Sequence, residues 1–312
     1  TTKRIKVKKG RVIESTGSWY KVKPNKADML VECRLPGRFR DEDIQLTNPI
    51  AVGDYVSFSF NDDGNGTIKE IQDRENYIIR QATHGRQGQQ ILASNVDQAV
   101  VVQSIIKPKI NEGFINRFLV MCEAYQLNPV IIINKMDLAT EKAEEFVRQI
   151  RELYEPLGYP VRTTSIHDEA SLQKLKNLLK DNTSAFIGPS GVGKTSLLNA
   201  IDPDINRAVK NISDYSNKGT HTTTYARLLP LCFGGYLVDT PGIREFGLVN
   251  IEPWELSLFF PEMREPRKSC KFNNCTHSHE PSCGVREAFE ENNIDAGRYH
   301  AYLRMLDSLD DN

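Results

Sequence analysis

No apolar run in the 312 residues comes near the roughly 18 that a membrane-spanning helix needs, so no bilayer segment is expected. The opening TTKRIKVKKG lacks the apolar stretch of a secretory signal, and the closing LDSLDDN carries no cysteine for prenylation. A cytoplasmic protein without membrane attachment is the expectation. Internal repeats and low-complexity segments are also missing, which sets aside repeat architectures. Net charge is −1, from 40 Lys and Arg against 41 Asp and Glu, with a pI near 6.6. That balance excludes a uniformly basic nucleic-acid binder. Cysteine is sparse at six. Cys33, Cys122 and Cys232 are scattered through strand-like or helix-like stretches and read as core thiols, kept reduced in a cytosolic protein.

What is present suits a globular chain of two or three domains, with 39% hydrophobic and 26% charged residues. The charges are uneven. Lys3, Arg4, Lys6, Lys8, Lys9, Arg11, Lys21, Lys23 and Lys26 face only Glu14 in the first stretch, and Arg264, Arg267, Lys268 and Lys271 form a second basic patch. Phosphate contact is expected at both places. The first 70 or so residues alternate short β-like runs (RIKVKKGRVIES, SWYKVKP, MLVECRL, DYVSFSF, TIKEIQD) with separators rich in Gly, Pro, Asn and Asp. Five such strands predict a small closed barrel of OB or SH3-like type. Trp19, Tyr20 and Phe39 are candidates for a base-stacking surface, with the barrel core as the competing place for each.

From Asn95 the texture becomes apolar strands separated by helical patterns. The strand VDQAVVVQSI precedes a helix over 112–125, and PVIIINK a helix over 142–155. Then come the extended PVRTTS, the amphipathic SLQKLKNLLK, the strand SAFI, a helix over 194–200, and strands around TTTYARLLPL and GYLVD. This alternation predicts a mainly parallel sheet with ligands at the carboxyl ends of its strands. After about 250 the chain turns to Cys- and His-bearing loops and short helices.

Gly188-Pro189-Ser190-Gly191-Val192-Gly193-Lys194-Thr195, with Ser196 next, matches G-x-x-x-x-G-K-[ST] directly after a strand. Its glycines let backbone N–H groups cradle a β-phosphate at a helix N-terminus. Lys194 would pair with the β and γ phosphates, and the Thr195 hydroxyl would complete a Mg²⁺ site. Asn134-Lys135-Met136-Asp137 reads as N-K-x-D at a strand end. The Asp137 carboxylate can accept two hydrogen bonds from guanine that adenine cannot offer. Asn134 would brace the phosphate loop, the Lys135 stem would lie along the base, and Ser165 would help receive the guanine O6. Asp239-Thr240-Pro241-Gly242 matches D-x-x-G, with Asp239 holding Mg²⁺ through water and the Gly242 N–H sensing the γ-phosphate. Within Gly219–Thr224, one of Thr222 and Thr223 would reach Mg²⁺ in the GTP state, in a switch ordered by the γ-phosphate. The residue after D-x-x-G is Ile243, where many GTPases place a water-orienting glutamine. Slow intrinsic turnover follows, and His221 is the local candidate for the missing role.

Cys270-x₄-Cys275-x-His277-x₅-Cys283 gathers a Cys₃His set of the kind that holds structural zinc with no open position. His279 is the rival to His277.

N-K-x-D and Ser165 precede the phosphate loop, the switch threonines and D-x-x-G, whereas ordinary GTPases run the other way. This permuted order, between an N-terminal barrel and a C-terminal Cys/His module, resembles the RsgA (YjeQ) family of bacterial GTPases of small-ribosomal-subunit assembly. The resemblance covers essentially the whole chain. It implies an OB barrel over 1–72 that binds RNA, an α/β circularly permuted P-loop GTPase domain over 73–250, and a mainly helical zinc-binding domain over 251–312. It also implies GTP hydrolysis to GDP stimulated by the small ribosomal subunit, contact with its rRNA, a role in its late maturation and a monomeric state. The family pattern favours His277 over His279 as the fourth zinc ligand, and a catalytic part for His221 fits a role proposed across the family.

Overall fold

A computed structural model describes residues 7–16, 19–27, 29–36, 49–81, 89–205, 226–239 and 251–310. The chain divides into two compact units, one of residues 1–99, 168–187 and 194–247, the other of 100–167, 188–193 and 248–312.

The first unit opens with five strands: β1 (Val7–Ser15), β2 (Tyr20–Pro24), β3 (Val31–Arg34), β4 (Tyr55–Phe60) and β5 (Gly66–Ile71). They run in the order β1-β2-β3-β5-β4, and β4 pairs back onto β1, closing a barrel of the OB type. Alternation does the local work. In β2 and β3 every second side chain is buried, so Tyr20, Val22, Val31 and Cys33 meet Val12, Ile50, Val56, Phe58 and Ile68 in the core. Tyr20 is therefore core, and its candidacy for a base-stacking surface is overturned by the pleat that turns it inward. Trp19 is half-buried beneath the Arg34 guanidinium, 3.8 Å from its ring centroid. Phe39 lies outside the described residues.

A hairpin of β6 (Tyr77–Gln81) and β7 (Gln89–Ser94) follows, unanticipated from the sequence. The buried Asp54 carboxylate ties it to the barrel. It accepts from Arg74 at 2.7 Å, from the Ser94 hydroxyl at 2.6 Å and from Ala51 N–H at 2.9 Å. A buried charge is tolerable when paired and hydrogen-bonded in this way. The unit's remaining elements are α3 (Glu169–Leu179), β11 (Thr183–Ile187), α4 (Lys194–Ile201), β12 (Ala226–Pro230) and β13 (Tyr236–Asp239). β11 runs parallel to β13, β13 antiparallel to β12, and β12 antiparallel to β1, so one ladder continues into the barrel. Arg11 fastens that junction, donating to Thr183 Oγ1 at 2.8 Å and to the Asn95 carbonyl at 2.7 Å. Cys232, expected in the core, is exposed: it lies in the turn between β12 and β13, while Cys33 and Cys122 are buried.

The second unit holds β8 (Gln98–Ser104, from residue 100), β9 (Asn128–Asn134) and β10 (Val161–Thr163), side by side in the order β10-β9-β8. β8 is buried throughout, as a strand covered on both faces should be. Helix α1 (Glu112–Ala124) is capped by Asn111, whose side chain accepts from Phe114 N–H, and α2 (Glu141–Tyr154) by Thr140. In α2, Val147, Ile150 and Tyr154 form the buried stripe that its 3.6-residue period lays down.

In the same unit, residues 251–310 fold around the Cys/His loop, with α5 (Gly284–Glu290) and α6 (Ala296–Asp310). Leu256, Phe260, Met263, Tyr299, Tyr302 and Leu306 form their core, joined by Val120 of α1. Arg298 of α6 is buried in a bidentate pair with Glu262 (2.6 and 3.0 Å) and donates to Asn116 Oδ1 of α1 at 3.1 Å. Asn116 also accepts the Tyr154 hydroxyl of α2 at 2.7 Å. No helix among the described residues is long and apolar enough to cross a membrane.

Candidate nucleotide and metal sites

The phosphate loop, 188–193, lies in the second unit beside the carboxyl ends of β8 and β9. Two glycines are demanded by close approach. A Cβ on Gly188 would stand 2.3 Å from the Val102 carbonyl oxygen of β8. One on Gly193, whose φ is +93°, would stand 2.5 Å from Asn134 Nδ2.

Asn134, buried at the end of β9, donates from Nδ2 to the Val192 carbonyl at 2.9 Å. Its Oδ1 accepts from the Thr164 hydroxyl at 3.0 Å. Lys135 takes a left-handed backbone (φ +64°) that turns its ammonium across to the Gly191 carbonyl at 2.7 Å and the Lys107 carbonyl at 2.8 Å. The first two residues of N-K-x-D thus clamp the phosphate loop through its Val192 and Gly191 carbonyls. Asp137 is exposed. Its Oδ1 accepts from the Ser165 hydroxyl at 2.6 Å, and Ser165 Oγ accepts the His167 N–H at 3.1 Å. Ser165, expected at the guanine O6, here braces the carboxylate. Thr164 and Lys107 escaped sequence reading, although Thr164 stood one residue before a chosen serine.

Pro189, Ser190, Gly191 and Val192 complete the loop, and Lys194, Thr195 and Ser196 open α4 directly after it in the chain. Asp239 ends β13. His221, Thr222, Thr223, Gly242 and Ile243 lie outside the described residues.

Cys270, Cys275, His277 and Cys283 place four ligand atoms within 4.8 Å of one another. Tetrahedral zinc with bonds of about 2.3 Å to sulfur and about 2.0 Å to nitrogen implies S···S edges of about 3.8 Å and N···S edges of about 3.5 Å. The Cys270–Cys283 sulfurs are 3.8 Å apart, and His277 Nδ1 lies 3.5 Å from Cys270 Sγ and 3.3 Å from Cys283 Sγ. The residues fit the ion. Burial pushes the Cys275 thiol up to about 12 and the Cys283 thiol upward as well, so ionising these two here calls for a cation. Burial, with Arg267 nearby, brings His277 down to about 4, which keeps it a neutral ligand. Burial alone would raise Glu280, but hydrogen bonds from the Thr276 N–H and hydroxyl and the His279 N–H carry it down to about 2, and its carboxylate pins the loop. His279 is exposed, with Nδ1 on the Ser278 hydroxyl, outside the cluster.

A phosphate loop clamped by an N-K-x-D that precedes it in the chain, beside the exposed Asp137 carboxylate, is the motif arrangement of a P-loop GTPase with circularly permuted order. Family models bear on the same residues: RsgA N-terminal domain matches 9–68 and RsgA GTPase matches 71–249. A Phocaeicola vulgatus protein named small ribosomal subunit biogenesis GTPase RsgA is 42% identical over 303 residues, 97% of each chain. Its namesake in Flavobacterium johnsoniae is 41% identical over 96% of this chain and 92% of its own. Among solved structures, YjeQ from Thermotoga maritima superposes with a TM-score of 0.78 at 34% identity, over 97% of this chain and 99% of its own. YloQ, titled a circularly permuted GTPase, gives 0.76 at 33%, over 100% and 98%. The chain belongs to the RsgA GTPase family.

Proposed function

We propose that this GTPase binds the small ribosomal subunit through its rRNA, assists the subunit's late maturation, and hydrolyses GTP to GDP and phosphate under the subunit's stimulation. The observation that supports the reading is the Asn134–Val192 bond, which joins N-K-x-D to the 188–193 loop within one unit. The names of the relatives supply the partner.

Asp137 accepts the two guanine donors while Asn134 and Lys135 keep the loop's N–H groups turned toward the phosphates. Lys194 neutralises charge on the β and γ phosphates, and the Gly242 N–H meets the γ-phosphate. Thr195, Asp239 and one of Thr222 and Thr223 are the residues to hold Mg²⁺, which when bound offsets the charge that builds between those phosphates. His221 orients the attacking water, a part Ile243 cannot take. The Cys₃His set holds one structural zinc.

In this reading the chain has three modules, 1–72, 73–250 and 251–312, and acts as a cytoplasmic monomer. RNA contact by the barrel is supported by cations set over exposed aromatic rings: Lys8 lies 5.0 Å from the Phe60 centroid, and Phe60 is 43% exposed. Single-turnover GTP hydrolysis with and without purified small subunits tests the proposal. Strong acceleration, lost in His221→Ala, is expected. Equal rates with and without subunits would reduce GTP to a toggle of RNA affinity, and acceleration that survives His221→Ala would remove that residue's role.

A further inference from the structure

The zinc cage gives its histidine a second polar contact that needs a purpose. His277 turns one edge of its ring to the sulfurs, with Nδ1 at 3.3 and 3.5 Å. Its other edge points at Ser257, with Nε2 and the hydroxyl oxygen 3.0 Å apart. Both residues are buried, His277 at 1% exposure and Ser257 at 0%. A neutral imidazole carries one N–H, so whichever nitrogen binds metal, the other donates. We infer that His277 meets the metal through Nδ1, and that Ser257 is the positioning residue that holds it there by accepting the Nε2 hydrogen. This rests on the zinc reading of the Cys₃His set.

Three observations converge on a preset ring. The backbone of His277 is left-handed, at φ +56°, a conformation uncommon outside glycine. Its carbonyl accepts from the Tyr299 hydroxyl at 2.7 Å, and the preceding carbonyl, of Thr276, accepts from Tyr302 at 2.6 Å. Ser257 is itself fixed, since its segment Pro253–Phe259 is closed at one end by the Glu252–Glu255 capping box and held at the other by Arg264 Nε on the Leu258 carbonyl at 2.8 Å. Metal-bound histidines usually give their second N–H to a carboxylate, a backbone carbonyl or water. A hydroxyl suits this place on charge grounds. Zinc with three thiolates leaves one negative charge, and a carboxylate would add a second where no water reaches.

The test uses the full-length zinc-loaded protein. Its metal content is measured first, then the protonation of ¹⁵N-labelled histidines by NMR, then zinc transfer to excess chelator in wild type and Ser257→Ala. The expected result is one zinc, bound at Nδ1 with a slowly exchanging Nε2 hydrogen. Zinc release should quicken about 10- to 100-fold in Ser257→Ala, the usual cost of losing an outer partner. A wild type that holds no zinc sinks the zinc reading and this inference together. One zinc bound through Nε2, or an unprotected Nε2 hydrogen, overturns the inference alone and needs no variant. Release from Ser257→Ala within about twofold of wild type removes the serine's role.

Discussion

Replacing Arg298 with methionine removes a guanidinium that belongs to residues 251–310 by sequence but is anchored on α1 as well. The side chain is fully buried, and its Glu262 partner is 8% exposed. The change strands that carboxylate and withdraws a donor from Asn116, which keeps only the Tyr154 hydroxyl on the same oxygen. Breaking a buried pair from one side costs about 3–5 kcal/mol. The Phe260 face lies 4.7 Å from the guanidinium carbon, and losing that contact adds about 0.5–2 kcal/mol. Relief by water entry works the other way, so about 3–5 kcal/mol is the expected loss. Replacing both partners, Arg298→Met with Glu262→Leu, should return stability to within about 2 kcal/mol of wild type, because apolar groups need no pairing. Urea unfolding in a Trp19→Phe background reads this cleanly, since the chain has two tryptophans and Trp254 sits in the affected unit. A single-variant loss under about 1 kcal/mol, or a double variant as unstable as the two single losses summed, would refute the view that this pair fastens the C-terminal residues to α1.

Gly193→Ala should weaken nucleotide binding at least about tenfold while leaving the barrel's unfolding unchanged, because the new methyl displaces Asn134 from the phosphate loop; calorimetry with GDP checks it, and unaltered affinity counts against the clamp. Burial, and then the Asp295 carboxylate, raise Glu112 at the start of α1 above its ordinary value. A raised carboxyl favours the folded state below its unfolded pKa and loses that favour as pH rises through the folded one. Glu112→Gln should therefore gain stability over wild type as pH rises above the ordinary carboxyl value of 4.5, seen in urea midpoints; a gap that does not change with pH contradicts the assignment.

Motifs that depend on local chemistry were legible in the sequence. The five barrel strands, the phosphate loop after SAFI and the Cys₃His spacing each announce themselves through alternation, glycine placement or ligand type. Partners distant in the chain were not legible. Arg298 and Glu262 are 36 residues apart and belong to no repeating pattern, and nothing in PWELSLFF marks Ser257 as facing His277. The β6–β7 hairpin was missed because NYIIRQ and QQILAS each offer only a short apolar run between polar ends. Tyr20 and Cys232 show the limit of residue type alone. Strand register buried the tyrosine, and a turn exposed the cysteine.

Base selection at Asp137 is the point on which the rest turns, and Asp137→Asn tests it most directly. Guanine offers donors at N1 and at its 2-amino group, whereas xanthine has an acceptor at C2 that an asparagine amide can serve. Each lost bond to a charged acceptor is worth about 1.5–3 kcal/mol, so GTP affinity should fall by about 10- to 150-fold for each bond lost while xanthosine triphosphate gains. Measured by competition against a fluorescent GDP analogue, that exchange of preference is the expected result. An Asp137→Asn protein that still prefers GTP with undiminished affinity would place the base somewhere other than this carboxylate.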